Sequence, residues 1–161
     1  NNIPEKDLKK IASIPASPSQ ATLNQYLQKL TRAVQSAMPA NIQQESARLF
    51  DILKNEYKSS KEMGEAVIGF WLSGRPEHAL LLAGQVCLAD HSYPVNLNNY
   101  AAMLNMMDAQ HMAIPLLEML NRQYPGNATI LGNMGQAWFN MRNMTKAEKY
   151  LDSAIKYFPK H

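Results

Sequence analysis

From residue 23 onward the apolar positions recur at intervals of three and four. Leu23, Tyr26, Leu27, Leu30, Ala33, Val34 and Ala37 keep that spacing without a miss, which places them on one buried helix face. Pro39 ends this helix. A second stripe, Ile42, Ser46, Leu49, Phe50, Leu53 and Tyr57, predicts a second helix with Gln43, Gln44, Arg48 and Lys54 on its exposed face. Two amphipathic helices joined by a few residues form an antiparallel hairpin. Beyond residue 60 nothing alternates as a strand would. Short helices follow one another, broken at Gly74-Arg75-Pro76, Tyr93-Pro94, Met107-Asp108, Tyr124-Pro125-Gly126 and Met141-Arg142-Asn143. Ahead of the hairpin, Pro4 suits the first turn of a short helix over Glu5–Ile11. The segment Ser13-Ile14-Pro15-Ala16-Ser17-Pro18-Ser19 then reads as an extended lead-in. The chain is therefore all-α, with a lead-in over 1–20, a helical hairpin over 21–58 and a longer helical region over 60–161.

That longer region repeats itself. Ala79, Ala113 and Ala147 are 34 residues apart, as are Phe70, Leu104 and Trp138, and Val67, Ala101 and Gly135. Tyr124-Pro125 and Phe158-Pro159 share the interval. The last unit reads Leu131-x2-Met134-Gly135-x2-Trp138, then Ala147-x3-Leu151-x2-Ala154, then Pro159. The one before reads Leu97-x2-Tyr100-Ala101-x2-Leu104, then Ala113-x3-Leu117-x2-Leu120, then Pro125. This pattern resembles the tetratricopeptide repeat, a helix–turn–helix unit of 34 residues. Three units are expected, at about 60–93, 94–127 and 128–161. The first departs most: Val67 and Ala83 are atypical, and no proline stands at His91, so Asp90–Pro94 is expected to hold a longer end to the second helix. Leu120 replaces the family's usual alanine, which predicts looser packing or a local shift there. The hairpin over 21–58 looks like a divergent repeat or cap. The resemblance implies a right-handed α-solenoid in which small residues (Ala79, Ala101, Ala113, Gly135, Ala147, Ala154) let helices approach while Phe70, Tyr100, Trp138 and Leu151 fill the gaps. Pro115 is expected inside a helix, four to seven residues from its start and near the first turns, where the lost hydrogen bond costs least; the mid-helix Gly69 and Gly84 cost helix stability unless they permit close contact.

Composition narrows the chemistry. The 161 residues are 46% apolar, enough for a core, and carry a net charge of +3, too small and scattered to argue for nucleic acid. Cys87 is the only cysteine, which excludes an internal disulfide and a zinc finger; its apolar neighbours predict a buried thiol. No stretch is long and apolar enough to span a bilayer, and the polar start carries no secretory signal. The chain does not begin with methionine, which predicts a processed product or an excised fragment and leaves export as a mature protein open. The histidines at 78, 91, 111 and 161 have no metal-binding spacing, and neither a phosphate loop nor a nucleophile elbow is present. Glu62 and Glu65 read as a solvated pair. No catalytic site, metal or cofactor is expected. Asn127-Ala128-Thr129 and Asn143-Met144-Thr145 fit the glycosylation pattern, but their place at helix starts favours capping. Met63, Met103 and Met134 read as core, whereas Met106, Met107 and Met112 are open to contact with partners.

In tetratricopeptide arrays the first helix of each unit lines a concave groove, and an asparagine there holds the backbone of a bound peptide. The resemblance places Asn99 and Asn133 in that column, and Glu65 in the first unit's equivalent. Helical spacing sets Ala102 and Met106 on the face of Asn99, and Gln136 and Asn140 on that of Asn133; Asn98 and Asn105 complete the candidate set. A carboxamide offers both a donor and an acceptor, matching an extended backbone. Basic residues are largely missing from these columns, which disfavours both carboxylate-terminated tails and RNA. The implied function is a non-catalytic protein-interaction scaffold. Its partner would be a peptide, a protein domain, a domain of the parent chain, or a second copy through the C-terminal repeat, with no nucleic acid and no insertion into a membrane.

Overall fold

The computed structural model describes residues 20–158, so the expected helix over 5–11, the lead-in and Pro159 lie outside the described residues. Among those described there are eight helices and no strand: α1 (Gln20–Ser36), α2 (Ala40–Glu56), α3 (Ser60–Leu72), α4 (Pro76–Ala89), α5 (Pro94–Met106), α6 (Gln110–Gln123), α7 (Ala128–Asn140) and α8 (Met144–Tyr157). The last six fall into three pairs whose first helices all have 13 residues and whose second helices all have 14. Both series start at intervals of 34 residues.

Local chemistry sets these boundaries. Ser59 accepts the Glu62 N–H at the start of α3, Asn127 that of Ile130 at α7, and Asn143 that of Lys146 at α8. Each side chain satisfies a backbone donor that the first helical turn leaves over. Pro76 opens α4, where its missing N–H costs nothing. The turn inside each pair is the same device three times. Gly74, Asp108 and Arg142, spaced by 34, have φ of 83°, 59° and 61°. The following N–H groups, of Arg75, Ala109 and Asn143, reach back to the carbonyls of Phe70, Leu104 and Trp138 at 3.0, 2.8 and 2.9 Å. These are the long bonds of a left-handed helix cap. Only the first turn uses glycine, for which this conformation is free of steric cost; elsewhere it costs about 1 kcal/mol. Arg142→Gly is therefore expected to stabilise the protein by roughly 0.5–1 kcal/mol in urea unfolding, with Asp108→Gly gaining less because aspartate tolerates the region better.

One correction to the sequence reading concerns a helix end. α4 stops at Ala89, no longer than its counterparts, and Asp90 turns the chain by accepting the Ser92 N–H at 3.0 Å. Pro115 lies inside α6, five residues after Gln110 as its spacing predicted, and is buried. Leu120 is wholly buried.

The described helices divide into two compact units, Leu23–Tyr100 and from Ala101 onward, with the division inside α5. In the first unit α4 packs on α2 and α3, and it buries nine residues from His78 to Cys87. Leu27, Leu30, Val67 and Tyr100 complete this core. In the second, α7 lies between α6 and α8 around Leu104, Leu116, Leu117, Met134 and Trp138. Met63, Met103 and Met134 are buried.

Missing side chains make two of the closest approaches. A Cβ on Gly64 would overlap the carboxamide of Asn96, whose Nδ2 donates to the Ser60 carbonyl at 2.8 Å and so ties the start of α5 to α3. A Cβ on Gly135 would stand 2.6 Å from Leu151 Cγ and 3.2 Å from its backbone nitrogen, so glycine lets α8 sit against α7.

Candidate functional site

The amides singled out in the sequence fall into two environments. In the second unit, Asn105 lies in the last turn of α5 with only 4% of its surface exposed. Its Nδ2 donates to the Asn133 carbonyl at 3.1 Å, and Asn140 Nδ2 donates back to the Asn105 carbonyl at 3.2 Å. Gln136 Nε2 donates to Asn140 Oδ1 at 2.9 Å. The result is a relay from exposed Gln136 through half-buried Asn140 to buried Asn105, joining the end of α5 to α7. The Asn105 carbonyl is among those a helix end leaves over, and Asn140 takes it up. Asn105 Oδ1 is buried without a donor. Met106 stands beside this relay, 65% exposed; Ala102 and Asn133 are half-buried.

The other candidates belong to the first unit. Asn98 is buried, Asn99 half-buried and Glu65 exposed. Sequence reasoning missed Asn96, the buried amide that bonds across to α3; Gly64, a glycine inside a helix, is the signal that marks it. Asn127 and Asn143 cap helices through their carbonyl oxygens, as their positions predicted.

His78 Nε2 meets Glu45 Oε2 at 2.6 Å, linking α4 to α2. That bond, with further help from Arg75 and Arg48, holds the Glu45 carboxyl below its ordinary value. Glu118 on α6 moves the other way: burial raises it against the pull of Arg122 and Lys146. Burial also raises Tyr150, assisted by Glu118, and pushes the Cys87 thiol far up, which makes it inert. Lys146 stands over the Trp138 ring at 4.1 Å. No group of three or more acidic, histidine or cysteine side chains among the described residues is placed to hold a metal. No described helix is long and apolar enough to cross a membrane. An open groove of about 410 Å³ runs between α2 and α3 over Leu53, Tyr57, Gly69 and Phe70.

The two carboxylates predict opposite pH dependence. Glu45, lowered in the fold, contributes stability above 4.5 that is lost as pH falls through its folded value. Glu118, raised in the fold, binds its proton more tightly when folded, so stability falls as pH rises from 4.5 through its folded value. Melting temperatures between pH 3 and 7 should show Glu45→Gln flattening the acid side of the profile and Glu118→Gln flattening the other.

No protein-family model, no curated protein and no solved structure matches this chain. The geometry of the chain itself carries what can be said of function.

Proposed function

We propose that the chain is a non-catalytic protein-interaction scaffold of the tetratricopeptide kind, a right-handed solenoid that holds a peptide segment or partner domain on the amide-lined faces of its odd-numbered repeat helices. The observation that carries this reading is the recurrence of three helix pairs at 34-residue intervals, each closed by the same left-handed turn. A repeat of this kind presents one polar column again and again along the array, which suits a long ligand better than a small one. Gln136 and Met106, both exposed beside half-buried Asn133 and Asn140, add support: adjustable amides next to a flexible thioether.

The test is capture of partners from the native organism's lysate by the wild type and by Asn99→Ala/Asn133→Ala, with circular dichroism to confirm that both are folded. A partner held by the wild type and lost by the variant supports the groove. A partner held equally by both moves binding to another face. Labelled RNA is expected to pass unretained even at low salt, where electrostatic binding is strongest.

A further inference from the structure

We draw no further inference here: the strongest candidate, the cleft of about 280 Å³ between α1, α2 and α4 over Gln35, Ser46 and Gln85, carries nothing because nothing in the structure shows what fills it, the Ser46 hydroxyl oxygen being closed off from solvent and the two carboxamides suiting donor and acceptor alike.

Discussion

Gly64→Ala is expected to destabilise the protein by about 2–4 kcal/mol, a large effect for one methyl group. The methyl would occupy the space of the Asn96 carboxamide. Either that amide swings away and loses the Ser60 carbonyl while still buried, or α3 and α5 separate. In an open helix the same substitution gains about 1 kcal/mol from propensity alone, so the sign of the measured change is diagnostic. The clash also predicts strong non-additivity. Asn96→Ala by itself removes one hydrogen bond, at about 1–2 kcal/mol. In the double variant the alanine at 64 no longer meets an amide, and the pair should come out close to wild type. Urea unfolding of the four proteins measures the coupling. Additive losses would mean that Asn96 does not need the space above Gly64.

The second large effect is expected at Gly135. An alanine there meets both the side chain of Leu151 and its backbone nitrogen. The leucine can rotate away, but the backbone of α8 cannot, so the helix must move outward by a few tenths of an ångström. The expected cost is about 2 kcal/mol. Because α8 rests on α7, hydrogen exchange should quicken first in Met144–Tyr157 and leave Leu23–Tyr100 unaffected. Leu151→Ala in the same chain should recover only part of the loss, since it clears the side chain and not the nitrogen.

Much of the fold was legible because its signals are local. The stripe from Leu23 to Val34, the proline at 76, the asparagines at 127 and 143 and the 34-residue spacing each act within a turn or two, and the helices begin and end within a few residues of them. What the sequence concealed depends on who sits opposite. The stripe on α2 is only partly covered, since Ser46 and Leu53 are buried while Tyr57 is exposed. Nothing in its spacing could say how completely a neighbour would cover it. The amides show the same limit. Asn105 and Asn140 carry the groups that would hold a peptide backbone, and each gives its Nδ2 to the backbone of a neighbouring helix in its own chain. Donor and acceptor are the same in both uses. Asn96 was concealed for a related reason: a polar residue in the first turn of a helix ordinarily faces water, and only its approach to Gly64 brings it inside.

The solitary thiol of Cys87 has a practical consequence. It lies fully enclosed on α4, against which both α2 and α3 are packed. A thiol-specific dye can therefore react only in moments when that enclosure comes apart. Since no other cysteine competes, the labelling rate relative to the unfolded chain works as a built-in clock for the opening of the first unit alone, readable without any engineered probe.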